Sequence, residues 1–556
     1  MAEDRIIRTC DRLAFGALAA ALTLTTPARA SDAEAMGQFV RAQLAEGAGQ
    51  PGAAAASYAA LLIESPGDTA MALRAYRSGM AAGDQALALR AAKMLAAQGA
   101  LPAEGRLLLV AEAFQRKDRR AAALAIDKLD AEGNFEFVVP ILRAWAEFRA
   151  GRRDGASPID ARQPNALTLA YAGEQRGLLA IAGRHTDEGV AIFQSLAGRG
   201  AGASGAGTRI AAAGMLARNP DAALAILSGE HPAIAAARRR VEARRALAPP
   251  RDAAATGVSL LMLRLAEDVG GRQPGALSIS LARIATFVDP ANDAAWIALA
   301  EMLRAQDRGG SALAAVARVD GKGPWASEAT DIRVGLLSGG DDPARALALA
   351  EAAADASGAR SGDFTRLGDL LATQDRPADA AKAYRTAIAR IEEEGGIVDG
   401  PLWLLLGSAL KQAGDWAAAR PALERALALA PDQPVVLNYL GYAQLERREN
   451  LAAAQALIVR ANRINPDDPS FIDSLGWSYH LRGDGPRAVA ALERAVAGQP
   501  SESIINEHLG DAYWAVGRRI EARYAWRNAL VNAEDEASAR LTAKTDLGWT
   551  AATAAP

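Results

Sequence analysis

Gly407, Gly441, Gly476 and Gly510 are each followed, nineteen or twenty residues later, by an alanine: Ala426, Ala461, Ala495 and Ala529. The glycines recur at intervals of 34, 35 and 34 residues and the alanines at 35, 34 and 34, while Pro431, Pro466 and Pro500 close the first three units. A fixed period in this range predicts a solenoid, because each unit leaves an apolar face open and its neighbour covers it.

Within the clearest unit, Trp403, Leu406, Gly407 and Leu410 stand at i, i+3, i+4 and i+7 and so share one face of a first helix. Ala419, Leu423 and Ala426 form a second stripe at i, i+4 and i+7, and Gly414-Asp415 between the stripes breaks the backbone where the chain reverses. The small residues Gly407, Ala419 and Ala426 let the two helices approach, and Trp403 and Leu423 fill the space left over. Pro431 has no backbone N–H and disfavours helical geometry in the residue before it, so the second helix ends there.

Trp403, Leu406, Gly407, Ala419, Leu423, Ala426 and Pro431 resemble the tetratricopeptide-repeat signature at its own spacing. The pattern continues in Leu437, Leu440, Gly441, Leu457, Ala461 and Pro466, in Leu475, Gly476, Tyr479, Leu492, Ala495 and Pro500, and in Leu509, Gly510, Tyr513, Trp526 and Ala529. Glu534 replaces the proline of the last unit, as suits a unit with no first helix to start after it. Phe364, Leu367, Gly368, Leu371, Ala380, Tyr384 and Ala387 mark a further unit upstream. Residues 361–536 therefore read as five repeats, followed by a terminal helix and disordered tail at 537–556. Residues 256–360 read as degenerate units, with Trp296, Leu299, Ala300, Leu303, Ala312 and Pro324 keeping the spacing. Residues 31–255 show only Ala/Leu helical periodicity and read as more of the same solenoid, with a glycine-rich linker near 198–207. The fold class that follows is all-α, and the resemblance implies a right-handed superhelical solenoid of antiparallel helix pairs.

Composition agrees with close helix packing, since 50% of the residues are hydrophobic but only 5% aromatic. Alternating Val/Ile/Thr runs with hairpin turns, the sign of sheet, do not occur. Arg5, Arg8 and Arg12 precede an uncharged stretch from Leu13 to Ala28, and Ala28-Arg29-Ala30 supplies small residues at a cleavage point, so residues 1–30 resemble a secretory signal peptide. The uncharged run is shorter than the roughly 20 residues that span a bilayer, so no transmembrane segment is expected after cleavage. Cys10, the only cysteine, precedes the apolar run and does not match a lipoprotein attachment site; without it the chain has no thiol for disulfides or zinc. Cleavage leaves 58 basic against 62 acidic residues, a balance with no global field of the kind that gathers nucleic acid.

In tetratricopeptide-like proteins the first helices bind extended partner segments. The resemblance therefore implies a protein or peptide partner held by side chains that point away from the packing stripes: Asn438, Tyr442, Asp473, Trp477, His480, Glu507, Asp511 and Trp514. Aromatic rings beside amides and carboxylates suit gripping a peptide by stacking and backbone hydrogen bonds, although large aromatics also pack against neighbouring repeats. Gly200 to Gly205 spells G-x-G-x-x-G, but a helical pattern precedes it where a dinucleotide site needs a strand, so no cofactor is assigned. Arg238, Arg239, Arg240, Arg244 and Arg245 crowd one helix, which reads as a solvated face or a contact for an anionic partner. The four histidines are scattered without ligand spacing, and Ser474 and His480 lack the strained turn and paired base of a nucleophilic site, so neither metal nor catalytic residues are assigned.

The block Asp473-Ser474-Leu475-Gly476-Trp477, with Glu507 to Trp514, is similar to the last units of proteobacterial envelope proteins, some of which are adaptor lipoproteins that activate carboxyl-terminal processing proteases. The expectation is a non-enzymatic adaptor in the periplasm of a Gram-negative bacterium, with a periplasmic protease as one candidate partner. The alternatives are an enzyme whose site hides in 31–255, and a cytoplasmic scaffold whose amino terminus is retained.

Overall fold

The computed structural model describes residues 30–151, 159, 165–196, 202–340, 342–356, 358–393 and 395–555. Among them are 29 α-helices and no strand, so the chain is an all-α solenoid of helix pairs. Residues 1–29 of the signal-like segment 1–30 lie outside the described residues, as do 198–201 of the glycine-rich run. Contacts divide the chain into two units, Met1–Leu336 and Leu337–Pro556. The boundary drawn from sequence at 255/256 falls inside the helix Ala253–Gly270.

The second unit contains five hairpins, here R1 to R5. R1 is α1 (Ser361–Thr373) and α2 (Pro377–Glu393); R2 is α3 (Gly400–Gln412) and α4 (Trp416–Leu429). R3 is α5 (Pro434–Glu446) and α6 (Leu451–Ile464); R4 is α7 (Pro469–Leu481) and α8 (Gly485–Gly498). R5 is α9 (Ser503–Ala515) and α10 (Arg519–Val531), and α11 (Asp535–Leu547) follows. The glycine of each first helix is pressed by one large residue of the second. A Cβ there would meet Tyr384 at 2.5 Å in R1, Leu423 at 2.6 Å, Ile458 at 2.8 Å, Leu492 at 2.6 Å and Trp526 at 2.3 Å in R5. Ala387, Ala426, Ala461, Ala495 and Ala529 are fully buried one turn further on. This is the close approach the spacing predicts, with one correction in R3. Ile458, not Leu457, fills the gap, because the R3 turn is one residue longer and shifts the stripe to Ala454, Ile458 and Ala461. The turns of R2, R4 and R5 use glycines at φ +82°, +80° and +84°, whereas R3 forces Arg448 and Asn450 to positive φ.

Two further expectations are corrected. The terminal helix expected from 537 begins at Asp535, with Glu534 at its N-cap, and it packs on the last unit as a following first helix would: Leu541 joins Ala522, Trp526 and Ala529 in a buried cluster. The glycine-rich run is helical from Ala203, with Gly205 and Gly207 buried, so a linker does not extend over 203–207.

In the first unit one core runs from Ala42 to Ile332. The helix Ala253–Gly270 is buried on most sides and meets helices far earlier in the chain: a Cβ on Gly257 would stand 2.1 Å from the indole of Trp145. Arg149 pairs with Asp252, and Arg283 lies against Gly83 and donates to the Ala81 carbonyl at 3.5 Å. A linear solenoid restricts contacts to neighbours. Residues 31–255 therefore depart from the expected plain continuation of the repeats, because later helices fold back onto them.

Candidate functional site

The first helices of R3, R4 and R5 touch in turn, and α5, α7 and α9 bring the predicted residues to one ledge in the second unit. Asp473 of α7 accepts from His508 Nδ1 of α9 at 2.9 and 3.0 Å through its two oxygens. The Trp477 ring stacks on His508 at 4.1 Å between centroids and on His480 at 4.7 Å, and Tyr442 of α5 lies 6.3 Å from His508. Burial, reinforced by the charges of His508, Arg448 and Lys544, lowers the His480 pKa to about 4 and keeps its imidazole neutral. Burial together with Asp473, Glu446 and Glu507 pushes the Tyr442 phenol well above its ordinary range.

The carboxylates of α9 are engaged from α11. Arg540 grips Glu507 with two bonds of 2.8 Å, and Lys544 Nζ reaches Glu507 at 2.7 Å and Asp511 at 2.7 and 2.8 Å. Trp526 Nε1 and the backbone N–H of Ala555 complete the coordination of Asp511 at 2.9 and 3.1 Å. Burial pushes the Glu507 pKa up, but the Arg540 bonds and the Lys544 charge outweigh it and the net shift is downward. At Asp511 burial outweighs Lys544 and the net shift is upward. Lys544 itself is fully buried, a state a cation reaches only when paired.

Trp477, Asp473, Glu507 and Asp511 are each at most 5% exposed, and Tyr442, Asn438, His480 and Trp514 are partly exposed. The expectation that all eight face an open trough is corrected for four of them: residues 535–555 engage Glu507 and Asp511 and pack on Trp477, while Asp473 is buried against His508. The tail expected to be disordered is placed. It leaves α11 at Gly548, whose position against the Trp514 ring would bring a Cβ to 2.4 Å, and reaches Ala555 in the cluster of Leu445, Ala454, Ile458 and Trp477. Sequence reasoning passed over His508, Arg540 and Lys544. The i, i+4 carboxylates Glu507 and Asp511 and the i, i+4 cations Arg540 and Lys544 were the available signal.

Elsewhere the polar groups secure loops. A cleft of about 530 Å³ in the first unit is lined in part by Arg240, Asp289, Asp293, Arg318 and Lys322. Burial raises Asp293 to about 6 against the bond from Asp320 N–H, and like charges on Asp320 and Asp289 add to the shift. Asp293 accepts that bond at 3.2 Å, Thr256 donates to Asp289 at 2.5 Å, and Arg240 donates to the Lys322 carbonyl at 2.9 Å. Arg238 likewise binds the Leu227 carbonyl, so this part of the arginine cluster caps backbone rather than offering a free cationic face. Ser474 donates to the Ser470 carbonyl and not to His480. No group of three or more metal-ligating side chains occurs among the described residues, and no described helix is long and apolar enough to cross a membrane.

Helical hairpins stacked so that their first helices share one polar and aromatic ledge define a repeat scaffold. Residues 401–444 match the tetratricopeptide repeat family. No curated protein sequence matches it. Among solved structures it is similar to MamA of AMB-1, at 22% identity over 30% of this chain and 95% of that one, with a TM-score of 0.25. A thermophilic TPR protein of Thermus thermophilus matches at 22% identity over 33% and 96%, TM-score 0.29. A tetratricopeptide repeat protein of Parabacteroides merdae matches at 17% over 40% and 86%, TM-score 0.34.

Proposed function

We propose that this protein is a non-enzymatic adaptor that binds an extended segment of a partner protein on the first-helix ledge of R3 to R5. The observation that carries this reading is that a stretch of backbone is already engaged there: the N–H of Ala555, just past a short 3-10 turn at Ala551–Thr553, bonds Asp511, and Ala555 sits in the cluster that contains Trp477. Main-chain bonding beside an aromatic floor is how a scaffold holds a segment without reading every side chain. The signal-like residues 1–30 support export to the periplasm of a Gram-negative bacterium, and the likeness of the 473–477 and 507–514 blocks to envelope adaptors supports a role in envelope assembly or beside a periplasmic protease. Affinity capture from a periplasmic extract with the wild-type chain and with Trp477→Ala tests the binding reading. A partner, a protease among the candidates, retained by the first and lost by the second at unchanged helix content is the expected result; identical recovery by both would sink it. Amino-terminal sequencing of the protein from cells is expected to begin at Ser31, and an intact Met1 would refute export.

A further inference from the structure

Residues 548–555 read Gly-Trp-Thr-Ala-Ala-Thr-Ala-Ala and carry no charge. The segment starts at R5, where Trp549 packs with Trp526 and Leu541, and ends against Trp477 of R4 and Leu445 and Ile458 of R3. It thus spans three repeats, yet among the described residues its one hydrogen bond to them is Ala555 N–H to Asp511. The ledge beneath keeps polar atoms that it does not satisfy. Trp477 Nε1, His508 Nε2, His480 Nδ1 and Gln444 Oε1 are buried without a hydrogen-bond partner among the described residues, and Trp477, His508 and Gln444 are more than nine-tenths buried. Such atoms each forfeit a bond they would make in water.

Resting on the binding reading above, we infer that the ledge is a site for an uncharged polypeptide segment rich in small residues with one aromatic, and that 548–555 occupies it in cis until such a segment displaces it. Charge complementarity fixes the ligand class. Lys544 and Arg540 already neutralise Glu507 and Asp511, Asp473 is bonded to His508, and His480 is held neutral, so a charged side chain entering here would be buried without a counterion. A partner wins because it supplies backbone and side-chain groups to the unpartnered indole, imidazole and amide atoms. The cis segment binds at an effective concentration on the order of millimolar and lowers apparent affinity for outside segments accordingly.

The test is fluorescence anisotropy with a labelled peptide Gly-Trp-Thr-Ala-Ala-Thr-Ala-Ala as the probe. The chain ending after Gly548 is expected to bind it at least ~10-fold more tightly than the full chain, and a probe with glutamate in place of both threonines is expected not to bind. Equal affinity for both chains, or none for either while both keep their helix content, overturns the inference. Should the shortened chain lose helix content, full-length Ala555→Arg gives the same readout without deletion. There a gain of about tenfold supports displacement, and unchanged affinity overturns it. A partner captured as above that binds shortened and full-length chains alike, and does not compete with the probe, overturns this inference while leaving the adaptor reading intact.

Discussion

Gly510 and Gly483 separate two reasons for a glycine. A Cβ on Gly510 would stand 2.3 Å from the indole of Trp526, a fully buried ring whose N–H is bonded to Asp511. Gly510→Ala must therefore move a ring and break that bond, and it is expected to destabilise the second unit by about 2–3 kcal/mol. Gly483 has φ +80° but nothing within 4 Å of its added Cβ, so Gly483→Ala should cost only about 1 kcal/mol, the backbone penalty alone. Urea unfolding of both variants checks the ranking, and equal losses would contradict it. His480 sets a pH dependence. Its folded pKa of about 4 lies below the ordinary 6.5, so the unfolded chain binds the extra proton between these values. The stability it contributes is complete above pH 6.5 and is lost as pH falls towards 4. Wild type should lose stability across that window more steeply than His480→Gln, and parallel pH curves would exclude the assignment.

At the scale of elements, α11 is decisive because it carries both cations that answer the α9 carboxylates. Lys544→Met leaves Glu507 and Asp511 facing each other in a buried site and is expected to cost about 3–5 kcal/mol. The triple variant Lys544→Met, Glu507→Gln, Asp511→Asn removes the charges together and should recover most of that loss. Thermal unfolding of single and triple variants decides it: no recovery would mean the helix packs through Leu541 and its neighbours rather than through charge. The repeat hairpins were legible because glycine, alanine and proline recur where backbone approach and chain reversal demand them. The covering of the ledge was not legible. Glu507 and Asp511 read as exposed first-helix positions, and only the placement of Arg540 and Lys544, 33 residues beyond each, closes them.

For the whole molecule, the second unit has its own buried clusters, around Tyr384 and Leu406, around Leu492 and Leu509, and around Trp526 and Leu541. Residues 342–555 produced alone are expected to keep their helix content and unfold cooperatively; a non-cooperative melt would show that these clusters do not suffice. The first unit behaves otherwise, since Gly257 lies under Trp145 and Arg283 reaches back to Ala81. Alanine/leucine periodicity between 31 and 255 revealed helices there but not their partners, because a stripe of small residues fits many faces equally well. The sequence by itself determined the helix pairs, their period and the residues that let them close, since those depend on sterics within about 35 residues. Tertiary structure alone decided which distant helix returns onto which, and that the ledge is held by the chain's own final segment. Burial and ion pairing across long separations are settled by the free energy of the assembled core, and no local pattern encodes them.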